Sequence, residues 1–363
     1  MSLQYQYSQE VDPAEVAKSR SFTTFPVRVH KDNARTQKAS NQFIKEWKRI
    51  VGDKRFDLNV AQSPVGHFAS LLVPECLPER LAFVAKGCDF ATAVDGIKRG
   101  KQNLHPDDKN TNAIKGDVSR TETKSKILTR ASQRDDWRSS SRYKRFQAQL
   151  FLEGLETCGP GVMSMVASTT AYLESNAIYS RECTSLEDYL PLRIANGGFS
   201  VLKEIICISM DIGLDIEERP GVYHIIKPLE VAMALTNDFF SYRKEKALHL
   251  LHNVPGNIFN AVPILMAQHG TSEGDALALL RQKIIEAEER HCAGVEELEQ
   301  KGPLNPELKR YLMACRMGAA GYHFWHASTP RFEIPPVNAN SRSLEGVIVS
   351  RFRSRMRSAL CWV

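Results

Sequence analysis

Leu235-Thr-Asn-Asp-Phe-Phe-Ser-Tyr-Arg-Lys-Glu245 lies within an apolar, helix-patterned run that begins near Ile225. Asn237, Ser241 and Glu245 recur at i, i+4 and i+8. On a helix, residues four apart share a face, so an amide carbonyl, a hydroxyl and a carboxylate line one wall. Three oxygen donors of this kind suit a hard octahedral cation such as Mg²⁺, which completes its shell with water and phosphate oxygens. Lys244, one residue before the glutamate, adds a positive charge suited to a phosphate. The same spacing also fits an ordinary polar helix face, and spacing alone does not choose between the two.

Working outward, the helical pattern extends over most of the chain. Asn41 to Ile50 carries apolar residues at 43, 44, 47 and 50, as an amphipathic helix does. Pro78 is placed to open a helix that runs to Ile97 with Leu81, Val84, Ala85, Cys88, Ala91 and Val94 on one face. The pattern resumes at 143–153 and continues through 161–179, 185–213, 222–250, 256–270, 272–300 and 306–324. Pro160, Gly213, Pro220, Pro255, Gly270 and Pro303 fall near the breaks. Strand signals are scarce and no repeat is present. The expected fold is all-α, about ten helices packed as a single bundle. Residues 1–40 read as a mostly irregular N-terminal arm, 41–335 as the helical domain and 336–363 as a basic C-terminal tail, a frayed or docked terminal helix.

The 363 residues suffice for a substantial core, and the formal charge of +6 is modest. Residues 98–145 hold 14 Lys/Arg against 6 Asp/Glu, so the excess is local. The stretch 98–142 has almost no apolar periodicity and reads as a long mobile basic loop. No recognised nucleic-acid motif accompanies it, so no nucleic-acid partner is expected. His105-Pro-Asp-Asp108 belongs to this loop and reads as surface. The eight cysteines show no Cys-x-x-Cys pair, and several sit in apolar helical runs, as reduced thiols of a cytoplasmic protein do. The N-terminus lacks the apolar core of a signal peptide, and no apolar run reaches the length of a membrane span. His323 and His326 flank Trp325 at a spacing that gives no Zn²⁺ site without further ligands. They read as packing or solvent-facing.

Five local patterns in order resemble the class I terpene cyclases, most closely the cyclase domain of fungal fusicoccadiene-synthase-type enzymes. Asn237-Asp-Phe-Phe-Ser241-Tyr-Arg-Lys-Glu245 is similar to the family's Asn/Ser/Glu metal triad. Val73-Pro-Glu-Cys-Leu-Pro-Glu-Arg80 leads into the helix that carries the family's Asp-rich motif. In Tyr189-Leu-Pro-Leu-Arg193 the arginine matches the diphosphate sensor, 44 residues before Asn237. Arg145-Phe-Gln-Ala-Gln-Leu-Phe-Leu-Glu153 is the fourth, and Trp325-His-Ala-Ser-Thr-Pro-Arg331-Phe332 resembles the C-terminal Trp…Arg-Tyr segment. The resemblance covers about residues 60–335. It departs at the Asp-rich motif, where only Asp95 matches: Gly96 replaces the second acid and Arg99 stands where the last would be. Phe332 replaces the terminal tyrosine and loses its phenol.

The resemblance implies an enzyme, a lyase of secondary metabolism that ionises an allylic prenyl diphosphate with Mg²⁺, up to three ions, and releases diphosphate. Asn237, Ser241 and Glu245 would hold metal on one wall and Asp95 on the other. Arg193, Lys244 and Arg331 would bind the diphosphate. Phe68, Phe90, Phe199, Phe239, Trp325 and Phe332 are candidates to line a dry cavity whose aromatic faces stabilise a carbocation. The resembled enzymes often carry a second, prenyltransferase domain, and none is expected here. Farnesyl diphosphate made elsewhere, and so a sesquiterpene product, is therefore the expected substrate class, with the C20 diphosphate next. The reduced Asp-rich motif leaves a second reading open, a catalytically silent cyclase fold that serves as a binding protein. A homodimer is compatible with the sequence, which does not specify the oligomeric state.

Overall fold

The computed structural model describes residues 5–51, 61–102, 141–175, 183–213, 218–251 and 256–332. The basic loop expected at 98–142 falls almost entirely outside the described residues, as does the C-terminal tail at 336–363. Within them the chain is helical, with one two-stranded sheet. The N-terminal segment carries β1 (Ser8–Glu10), α1 (Pro13–Lys18) and β2 (Arg28–His30). The helices that follow are α2 (Asn33–Val51), α3 (Phe68–Leu72), α4 (Leu81–Gln102), α5 (Ser141–Cys158), α6 (Val162–Ser175), α7 (Leu186–Asn196), α8 (Phe199–Met210), α9 (Glu218–Gly221), α10 (Tyr223–Leu251), α11 (Ala261–His269), α12 (Glu273–Gln300) and α13 (Pro306–Ser328). A 3₁₀ turn at Pro330–Phe332 follows. The seven cysteines among the described residues are free. No helix among the described residues is long and apolar enough to cross a membrane.

Local chemistry sets the helix ends. Ser185, Ser272, Asn260 and Asn305 each cap a helix by accepting a backbone N–H with the side chain, at α7, α12, α11 and α13. Pro306 then opens α13 at a position where the missing N–H costs nothing. The run 185–213, read as continuous from its apolar content, is instead two helices. They break at Gly197-Gly198, where Gly198 takes φ +71°, a left-handed conformation that glycine adopts without strain.

The N-terminal segment is less irregular than its composition suggests. β1 and β2 pair antiparallel with Ser8 opposite His30. The Glu75 carboxylate accepts the backbone N–H groups of Gln6, Tyr7 and Ser8 at 3.0, 3.1 and 2.8 Å and ties the strand to the bundle. Strands of three residues are too short to display an alternating pattern, which is why the sequence does not reveal them.

The bundle is built around α10, which packs along α12 and against α7, α11 and α13. Its two apolar sides enter two separate cores. Ile225, Ile226, Leu229, Met233 and Ala234 join the main core with α3, α4, α8 and α13. Ala232, Leu235 and Tyr242 join a second core with α7, α11 and α12. A helix buried on both sides normally carries few polar groups. Thr236, Asn237, Asp238, Ser241 and Lys244 are nevertheless all buried in its middle. Buried polar groups are costly unless paired, so this is where the chemistry is to be sought.

α13 is set against α3 at very close range. A Cβ on Gly321 would stand 1.8 Å from the Leu71 carbonyl oxygen, and one on Gly318 would stand 3.2 Å from that of Leu72. The contact fixes the register of the following residues, Tyr322 to His326. Gly321→Ala is expected to destabilise the fold by about 3 kcal/mol, because the added methyl meets backbone that cannot swing aside. Urea denaturation of the variant checks this; a midpoint equal to wild type contradicts the packing.

Candidate active site

A cavity of about 220 Å³ opens between α4, α5, α6, α10, α13 and the α7–α8 break. Its wall is mainly apolar and aromatic, with Phe68, Phe83, Phe90, Phe151, Tyr172 and Trp325 among its residues. Arg193, Asn237, Tyr322 and His326 also face it, and these polar groups touch one another rather than being scattered.

Arg193 is fixed from three directions. Its Nε donates to Asp238 Oδ1 at 2.8 Å, one Nη to Asn237 Oδ1 at 2.6 Å and the other to Asn196 Oδ1 at 3.4 Å. Asp238 accepts in addition from the Tyr189 hydroxyl at 2.7 Å and from the Ala261 backbone N–H at 3.1 Å. Arg193 is 5% exposed and Asp238 1%, so this is a fully desolvated ion pair whose carboxylate is bonded from three sides. Tyr189 lies at i−4 from Arg193, on the same face of α7. Burial, then the Asp238 charge, pushes its phenol well above the usual tyrosine value, so it remains a donor.

Asn237 is gripped on its other side. His326 Nδ1 lies 2.8 Å from the Tyr322 carbonyl, which only accepts, so Nδ1 carries the proton. Its Nε2 then accepts from Asn237 Nδ2 at 3.0 Å. One turn back on α13, His323 Nε2 accepts from the Phe22 backbone N–H at 3.2 Å while Nδ1 donates to Thr236 Oγ1 at 3.1 Å. Burial pushes His323 down to about 3 and His326 well below the ordinary value, so both are neutral. Neither histidine is solvent-facing: both are buried and each bonds one of two consecutive residues of α10.

One turn on from Asn237, the Ser241 hydroxyl is buried with no hydrogen-bond partner among the described residues. A further turn on, the half-buried Glu245 accepts from Asn260 Nδ2 at 2.9 Å. The adjacent Lys244 donates to the Arg331 backbone carbonyl at 3.5 Å, and both side chains are buried. The Arg331 guanidinium lies over the rings of Phe332 and Trp325, 5.3 and 5.8 Å from their centroids. Asp95 falls on α4, in a stretch whose side chains lie outside the described residues. Among the described residues, no group of three His, Cys, Asp or Glu could hold a metal ion.

The aromatic candidates divide. Phe68, Phe90 and Trp325 are on the cavity wall, with Phe68 and Trp325 4.9 Å apart. Phe199 packs edge-on to Tyr322 at 6.0 Å, and Phe332 stacks on His326 at 5.3 Å. Phe239 is turned to the N-terminal segment, edge-on to Phe22 at 5.0 Å. Neither Phe199, Phe239 nor Phe332 is part of the wall. Asp238, Tyr189, Tyr322 and His326 do not stand out as site residues in the sequence. Asp238 does carry a signal there, an acid next to the triad's first member inside an apolar run.

A family model described as terpene synthase family 2, C-terminal metal binding, matches residues 126–290. The sesterterpene synthase btcA of Colletotrichum orbiculare is 27% identical over 338 residues, covering 91% of this chain and 46% of its own length. Fusoxypene synthase of Fusarium oxysporum is 27% identical over 337 residues, covering 91% and 45%. The chain thus spans about half the length of the curated relatives it matches. The crystal structure of aristolochene synthase from Penicillium roqueforti superposes with a TM-score of 0.60 at 16% identity, over 85% of this chain and 99% of that one. That likeness shows the fold.

Proposed function

Because this chain belongs to the class I terpene cyclase family, we propose that it ionises and cyclises an allylic prenyl diphosphate in the cavity bounded by Arg193, Asn237 and Trp325. The observation that carries the reading is the joining of a desolvated polar cluster to an aromatic cavity. A diphosphate needs the first and a carbocation the second.

The α10 wall fits a divalent cation on its own chemistry. Ser241 presents a buried hydroxyl that no described residue bonds, on the same face as the Asn237 amide and the Glu245 carboxylate. Asn237, Ser241 and Glu245 would hold Mg²⁺. Bound magnesium supplies positive charge against the departing diphosphate. Arg193 spends three of its five N–H donors on Asp238, Asn237 and Asn196, so two remain to meet an anion entering from the cavity. Lys244 and Arg331, joined through the Arg331 carbonyl, would add two more cations to that side. Phe68, Phe90 and Trp325 would exclude water from the cation and offer it their ring faces. Asp95 is the residue proposed for the opposite wall.

Chain length follows from two lines that differ. The general supply of farnesyl diphosphate points to C15. Relatives named as sesterterpene synthases favour C25. Incubating the protein with Mg²⁺ and the C15, C20 and C25 diphosphates separately reads this out by gas chromatography of extracted hydrocarbons and alcohols. A cyclic product from one of them is the expected result. No product from any, with Mg²⁺-dependent pyrophosphate binding retained, supports the silent binding protein instead, the reading favoured by Gly96 and Arg99 in the Asp-rich motif.

A further inference from the structure

We infer that His326 is a positioning residue for Asn237: it holds the amide so that the oxygen, not the nitrogen, is presented to the cation. The inference rests on the metal-binding reading of Asn237 and adds a residue that the Asn/Ser/Glu spacing does not contain.

An asparagine amide is nearly symmetric in shape, and rotation by half a turn exchanges its oxygen for a nitrogen that cannot ligate a cation. The Tyr322 hydroxyl also bonds the Asn237 side chain but can donate or accept, so two contacts of fixed role decide the orientation here. Arg193 has only donors and lies 2.6 Å from one amide atom, which must therefore be oxygen. His326 Nε2 is 3.0 Å from the other, which must be the N–H₂ group. The histidine can accept only because its Nδ1 proton is committed to the Tyr322 carbonyl at 2.8 Å. A flipped amide would put two donors against each other at Arg193 and two lone pairs against each other at His326. Both conflicts would arise in a buried site, where neither is relieved by water. The oxygen retains a second lone pair beside the Arg193 hydrogen bond for a cation on the α10 face.

Arg193 cannot do this by itself. On the proposed reading its two remaining donors go to the diphosphate, so the guanidinium that holds the oxygen side is shared with an anion. His326 lines the cavity from α13, on the other side of the amide from Arg193. Its hold on the nitrogen side is independent of the anion. The imidazole is itself wedged between Tyr322 at 4.1 Å and Phe332 at 5.3 Å, centroid to centroid. The ring is therefore kept from swinging aside.

The test uses inorganic pyrophosphate titrated calorimetrically into the whole protein at saturating Mg²⁺, with no prenyl substrate. His326→Phe keeps a flat ring in the Tyr322–Phe332 slot and removes the acceptor. It is expected to weaken Mg²⁺-dependent pyrophosphate binding by about ten- to a hundredfold, the usual effect of deleting a group that orients a metal ligand. His326→Gln places an amide oxygen near the former Nε2 and is expected to bind within about threefold of wild type. A role in packing alone predicts the reverse order, with Phe tolerated and Gln not. Equal binding by His326→Phe and wild type overturns the inference while leaving the metal site standing. A wild type that binds no pyrophosphate with Mg²⁺ overturns the reading of the site and this inference with it.

Discussion

Asn237→Ala and Glu245→Ala are each expected to lower kcat/KM for the accepted prenyl diphosphate by about a thousandfold or more, a loss of about 4 kcal/mol of transition-state stabilisation. The reasoning starts from α10. Its middle is buried on both sides, so a polar side chain there is retained against a desolvation cost. Asn237 and Glu245 have protein partners, Arg193 and Asn260, but Ser241 between them has none among the described residues. A hydroxyl left unbonded in a protein interior costs about 1–3 kcal/mol. A cation held by the three residues would remove that cost and would supply positive charge against the departing diphosphate. The two substitutions differ in what else they break. Glu245 is half-buried, and Asn260 Nδ2, which donates to it, also donates to the Asp238 backbone carbonyl at 3.1 Å and so keeps an acceptor after its removal. Asn237→Ala also releases Arg193 and His326. Thermal melts accompany the kinetics for that reason: Glu245→Ala is expected to melt near wild type and still be inactive. Near-wild-type turnover in both variants refutes the metal assignment.

Much of this candidate site is legible in the sequence because its proposed members repeat at helical spacing. Asn237, Ser241 and Glu245 are separated by four residues, and the apolar run around them says helix. Nothing comparable marks the partners of Asp238. Tyr189, Arg193 and Ala261 come from other helices, and only the packing of α7 and α11 against α10 brings them together. His326 fails to declare itself for the same reason: its partner Asn237 is 89 residues away. Phe239 shows the limit of proximity along the chain. It stands two residues from Asn237, yet a helix turns about 100° per residue, and the ring emerges toward Phe22 rather than the cavity. The division of 185–213 is also legible and is a matter of weighting. Gly197-Gly198 costs about 2 kcal/mol of helix propensity, enough to outweigh continuous apolar flanks.

Asp238→Ala is expected to cost about 3–5 kcal/mol of folding stability, the largest single effect on the fold at this site. The carboxylate is 1% exposed and bonds three donors from two further helices. Its loss strands the Arg193 guanidinium, which cannot deprotonate, inside a core with no other carboxylate among its hydrogen-bond partners. It also leaves the Tyr189 hydroxyl and the Ala261 N–H at the start of α11 without their acceptor. The penalty belongs to the unpaired charge more than to the lost attraction, and a second variant separates them. In Arg193→Met/Asp238→Leu the charge is gone and the volume is filled. That protein is expected to regain most of the stability, because apolar replacement of a buried ion pair is often neutral or better. It is also expected to lose Mg²⁺-dependent pyrophosphate binding and turnover, since Arg193 faces the cavity. Urea denaturation of Asp238→Leu, Arg193→Met and the pair forms a double-mutant cycle with a coupling well above the scatter of independent sites, about 0.5 kcal/mol. If the single variants are each within about 1 kcal/mol of wild type, the pair is not desolvated as described. If the apolar double variant folds and still turns over prenyl diphosphate at the wild-type rate, then Arg193 does not bind the leaving group. A stable, inactive double variant is the outcome expected when an ion pair that costs the fold little to replace is kept for what one of its members does at the cavity wall.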